Sequence, residues 1–153
     1  MWERVRVQGG AYGAHILFDR QSGLLCYLSY RDPNLLSTLE TYDRTSDILR
    51  GLELSEDELV KSIIGAIGRI DAYQLPDAKG YTSMYRHLIG DDDERRQRLR
   101  EQVLSTTPAD FRLFAQALDH VTRHGQVVVL GSAEAIAQAN AVRGPWLEVN
   151  RVL

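Results

Sequence analysis

The chain has 153 residues and a formal net charge of −3, from 18 basic and 21 acidic side chains. Its length suits one domain around one core, and a composition of 44% hydrophobic and 25% charged residues with only 4 prolines excludes collagen, coiled coil and an unfolded tract. No broad positive field is available for nucleic acid, and no run approaches the roughly 18 apolar residues of a membrane span.

Residues 4–30 read as extended. Tyr12, Ala14, Ile16 and Phe18 alternate with Gly13, His15, Leu17 and Asp19, the period of a strand, predicted over Arg4–Phe18. Leu24–Tyr30 is apolar on both faces and follows the turn-like Arg20-Gln21-Ser22-Gly23, which predicts a hairpin with a central second strand. Because the chain opens directly in a strand, further sheet neighbours are expected from outside it, and with them self-association of the isolated chain. Cys26, the lone cysteine, excludes an internal disulfide and reads as a packing group inside this strand.

After Pro33 the period becomes helical. Leu35, Leu36, Leu39, Tyr42, Leu49 and Leu52 predict one helix of about five turns. Ser55 and Glu58 form a capping box before a helix lined by Leu59, Ile63, Ile64, Ile67 and Ile70. A shorter helix is expected over Lys79–Leu88, and a solvated one where Asp91–Glu94 precede the arginines of Arg95–Arg100. The acids there nearly balance the bases, so this run makes no nucleic-acid site. Thr107-Pro108 opens a helix that Gly125 ends; a strand is expected at Gln126–Leu130, a Ser132-capped helix to Ala141, and a last strand from Leu147 through Leu153. Early strands, central helices and a closing strand predict an α+β fold, a mixed or antiparallel sheet with a layer of helices.

Two constellations bear on chemistry. In Arg6-Val7-Gln8-Gly9-Gly10-Ala11-Tyr12-Gly13 the glycines permit close backbone approach or positive φ, and Arg6 and Tyr12 are both hydrogen-bond donors, a combination suited to an oxyanion. The same run also reads as a glycine bulge on an edge strand. His120 and His124 have the four-residue spacing of a helical zinc pair, but Val121 stands where a catalytic glutamate would, and no third ligand follows. No metal site is predicted within the chain.

Arg6–Gly13, then Tyr27-Leu28-Ser29-Tyr30-Arg31-Asp32-Pro33-Asn34, then Pro76-Asp77-Ala78-Lys79-Gly80-Tyr81 resemble, in this order, the C-terminal region of the presequence proteases, zinc metallopeptidases of the pitrilysin and insulysin type. The resemblance implies an incomplete fourth α+β domain of a much longer chain, whose halves close around unstructured peptides. It implies a zinc ion bound by a different domain, since the family's His-x-x-Glu-His motif is absent here. It implies that Arg6 and Tyr12 reach the scissile carbonyl, with Gly9, Gly10 and Gly13 beside the substrate. Ala14 departs from the glycine common after this Tyr-Gly pair. Partners would be the remaining domains and peptide substrates, with no nucleic acid or membrane, in an organelle matrix or, for a bacterial-type parent, the cytoplasm. On its own the chain is expected to be inactive. The alternatives are a non-catalytic assembly domain of the same superfold and a stand-alone binding module.

Overall fold

Side-chain alternation and a short turn build the hairpin in the computed structural model, which describes residues 2–150. β1 (Gly13–Asp19) pairs antiparallel with β2 (Leu24–Tyr30), Gly13 facing Tyr30 and Asp19 facing Leu24. The Asp19 carboxylate accepts from the backbone N–H of Gln21 and of Ser22 and from the Ser22 hydroxyl, and Gly23 closes the turn at φ +71°. These bonds, the Ser22 hydroxyl foremost, hold the Asp19 carboxyl below its ordinary pKa. Among the described residues this is the whole sheet, so β2 is an edge strand and not the expected central one. Its apolar run is half-buried only at Leu25, Cys26 and Tyr27.

The expected strand does not begin at Arg4. Trp2–Gln8 forms a π-helix, closed by bonds from Gly10 N to Arg6 O (3.0 Å) and from Ala11 N to Val5 O (3.1 Å). Val5 and Val7 alternate with polar neighbours as a strand would, but burying Val5 decides the local structure. At 1% exposure it joins Ala11, Ala14 and Tyr42 in a core against which Tyr27 and Leu39 pack. The Tyr27 and Tyr42 rings stack 5.0 Å apart at 16°.

The predicted five-turn helix is broken. α1 (Leu35–Asp43) and α2 (Thr45–Arg50) meet at Arg44. Thr41 and Thr45 hydroxyls there bond back to Ser37 O (2.9 Å) and Thr41 O (3.2 Å), a competition with the backbone that bends helices. α3 (Glu56–Ile70) starts with the predicted capping box: Glu58 N donates to Ser55 Oγ, and Ser55 N donates to the Glu58 carboxylate. α4 (Pro76–Leu88) begins three residues before its predicted start, because Pro76 at the first helical position needs no donor and has φ preset. α5 (Asp93–Leu104) is capped by Asp92, α6 spans Pro108–His124, and α7 (Ala133–Arg143) is capped by Ser132.

Gln126–Leu130 is not a strand. It has no pairing partner among the described residues, and Val128 and Leu130 are almost fully exposed. Leu147–Asn150 is no strand either: the Asn140 side chain donates to Leu147 O (3.1 Å) and accepts from Leu147 N (3.0 Å), taking the bonds a neighbouring strand would take. The rest of that predicted strand, Arg151–Leu153, lies outside the described residues. Helices with one antiparallel hairpin make the fold α+β, as the sequence implies.

Two compact units divide the chain. Residues 1–50 and 114–153 hold the hairpin, α1, α2 and α7, with Ala115, Leu118 and Ala139 also buried and Arg50 paired to Asp119. Residues 51–113 hold α3, α4 and α5, where α3 packs on α5 and Arg100 pairs with Asp71.

Candidate functional site

The glycine-rich run sits between the π-helix and β1, and two backbone requirements explain its first glycines. A side chain on Gly9 would stand 2.6 Å from Val5 O and 3.0 Å from Arg4 O, and Gly10 has φ +77°. The Asn34 amide donates to Gly9 O, fastening the loop to the start of α1. At Gly13 an added Cβ would meet His15 Nε2 at 3.1 Å.

This loop brings Arg6 and Tyr12 together. Arg6 Nε donates to the carbonyl oxygen of Tyr12 at 3.1 Å, and its guanidinium lies 4.0 Å from the centre of the Trp2 ring. Arg6 makes no ion pair among the described residues, so its terminal nitrogens remain for a ligand. Tyr12 is 68% exposed, its N–H donates to Tyr30 O (3.1 Å), and its ring meets the Tyr30 ring edge-on at 6.0 Å. Two donors of different chemistry, one a guanidinium near the end of the π-helix and one a phenol on the loop that follows, thus stand six residues apart. Such a pair can bind an oxyanion or stabilise negative charge growing on a carbonyl oxygen.

Trp2, Arg31 and Asn34 carry no individual signal in the sequence. The Trp2 ring lies under the Arg6 guanidinium, the Arg31 guanidinium lies near the Tyr12 ring, and Asn34 anchors their loop. The motif Arg31-Asp32-Pro33-Asn34 was the available signal, and it shows its work locally too: Asp32 accepts from Asn34 N (2.9 Å) and from the Thr38 hydroxyl (2.7 Å).

The His120 and His124 rings do approach to 4.4 Å at the end of α6, but among the described residues no three His, Cys, Asp or Glu side chains gather as ligands.

A family model described as the PreP C-terminal domain matches residues 1–134. The chain belongs to that family. It is 56% identical over its whole length to presequence protease 1, chloroplastic/mitochondrial, of Arabidopsis thaliana, and 35% identical over 90% of its length to protein HypA of Clostridium perfringens. It is also 35% identical over 70% of its length to the mitochondrial presequence protease of Xenopus laevis. The chain spans 14%, 14% and 10% of these relatives. A PreP C-terminal domain is therefore a small part of the peptidases it resembles, and the loop carrying Arg6 and Tyr12 falls inside the matched region.

Proposed function

We propose that this PreP C-terminal domain is the non-zinc-binding part of a zinc metalloendopeptidase that degrades short unstructured peptides. It supplies Arg6 and Tyr12 to the scissile carbonyl, and its helices form part of a chamber wall. Its partners are the other domains of the same polypeptide and the peptide substrate, in an organelle matrix, in keeping with the chloroplastic and mitochondrial names of two relatives, or in the cytoplasm for a bacterial-type parent. The zinc of this reading belongs to another domain, and single-domain behaviour of residues 1–153 is part of it.

The observation that carries the reading is the Arg6 Nε bond to the Tyr12 backbone carbonyl, which ties a cation free of carboxylates among the described residues to the residue that carries an exposed phenol. As a peptide carbonyl is attacked, its oxygen gains negative charge, and donors fixed beforehand stabilise that charge without reorganising. Gly9, Gly10 and Gly13 keep the backbone bare of side chains where a peptide would run alongside. An assembly domain has no need for such a pair, nor has a stand-alone binding module that performs no chemistry.

Turnover of the full-length enzyme tests this. Tyr12→Phe and Arg6→Ala should each lower kcat by about 10²–10³ with little change in KM, the loss expected for one oxyanion donor. Unchanged kcat in both variants would reject the reading.

A further inference from the structure

Arg31 is the one non-glycine residue with positive φ among the described residues, at +46°. An arginine in the left-handed region is strained, and such strain persists only where the surroundings impose it. Here the hairpin's open end imposes it. Tyr12 N reaches both Tyr30 O (3.1 Å) and Arg31 O (3.4 Å), so β2 must turn sharply at Arg31 to bring both carbonyls to one donor.

The turn carries the Arg31 guanidinium to aromatic rings instead of to an acid. Its central carbon lies 5.9 Å from the centre of the Tyr12 ring and 5.4 Å from that of Tyr30, and no carboxylate pairs with it among the described residues. Tyr12 is largely exposed, and the contacts found for its ring are those with Tyr30 and Arg31. An exposed phenol on a loop has two free side-chain torsions, and a donor that must meet one oxygen needs both restrained. A cation near the ring limits its rotation while leaving the hydroxyl unengaged.

We propose that Arg31 is a positioning residue for the Tyr12 hydroxyl: the strained turn after β2 holds its guanidinium beside the Tyr12 and Tyr30 rings and so fixes the direction of the phenol. This rests on the catalytic reading of Tyr12 and adds to it the device that orients the donor.

Variants of the full-length enzyme test it, with kcat, KM and Tm measured together. Arg31→Gly relaxes the backbone and deletes the cation. It should leave Tm unchanged or higher, yet lower kcat about three- to tenfold with KM nearly constant. Arg31→Gln keeps the strain without the charge and should be equally slow, whereas Arg31→Lys should recover most of the turnover. In a Tyr12→Phe background, Arg31→Gly should cost nothing more, because the hydroxyl it orients is gone. Wild-type turnover in Arg31→Gly would overturn the proposal. So would an equal loss in the Tyr12→Phe background, which would leave the role of Tyr12 itself standing. If Tyr12→Phe alone kept full activity, the reading of Tyr12 and the role of Arg31 would fall together.

Discussion

The side-chain amide of Asn34 donates to the carbonyl oxygen of Gly9, joining positions 25 residues apart and holding the Arg6–Tyr12 loop against the start of α1. Replacing either residue should therefore cost stability. Asn34→Ala leaves a half-buried carbonyl without its donor, and Asn34→Asp sets an acceptor against it. We expect losses of about 1 kcal/mol and about 2 kcal/mol respectively, read from chemical denaturation of the isolated chain. Gly9→Ala should be worse than Asn34→Ala, because its Cβ would press on the backbone oxygens of Val5 and Arg4. Equal stability of Gly9→Ala and wild type would show that the π-helix yields easily.

Tyr42 offers a substitution in the opposite direction. Its ring is buried against Tyr27, but its hydroxyl is buried without a hydrogen-bond partner. Ser29 lies near enough to favour the ionised phenol, yet not in position to bond it well. Removing an unsatisfied buried hydroxyl is favourable, so Tyr42→Phe should stabilise the chain by about 1 kcal/mol in a thermal or urea melt.

The same tyrosines set an alkaline limit. Burial raises the pKa of both Tyr27 and Tyr42 above that of a free phenol. The folded state therefore binds these protons more tightly than the unfolded chain. Their contribution is complete below the unfolded value of about 10 and is lost as pH climbs through the raised values. A stability profile from pH 8 to 12 should fall, and fall less steeply in Tyr42→Phe; identical slopes would discard this origin.

The isolated chain should self-associate. Among the described residues both strands of the two-stranded sheet have one unpaired edge, and Ile16, Leu17, Phe18, Leu24 and Leu28 are exposed on the sheet. A symmetric dimer closes such edges with the fewest copies. Sedimentation over a range of micromolar concentrations checks this: a strictly monomeric, cooperatively folding species would mean that the hairpin needs no cover.

Dialysed protein should retain no stoichiometric zinc, and it should leave a quenched peptide uncut, since its histidine pair gathers no third ligand among the described residues. One tightly held zinc per chain, or cleavage stopped by a chelator, would refute this.

Features with local causes were readable from the residues. The hairpin follows from alternation plus Asp19 and Ser22, and the start of α3 from Ser55 and Glu58, three positions apart. Features decided at a distance were not. Val5 and Val7 alternate as in a strand, and only the core around Tyr42 curls them into a helix. The break at Arg44 depends on which way the threonine hydroxyls turn. The donors Arg6 and Tyr12 stood out through a glycine-rich motif, but Trp2 and Arg31 acquire their contacts only when the π-helix and the end of β2 are folded beside that motif.

The unpaired run Gln126–Leu130 makes the chain vulnerable to a different kind of order. From Gly125 to Ala133 it carries no charged side chain, and three consecutive valines with a leucine face solvent or lie at its margin. Short, uncharged, β-branched segments stack readily into cross-β fibrils when nothing covers them. Whatever holds this stretch in a longer polypeptide therefore also guards it, and a single gatekeeper lysine at Val128 should delay the thioflavin-positive phase of the isolated chain.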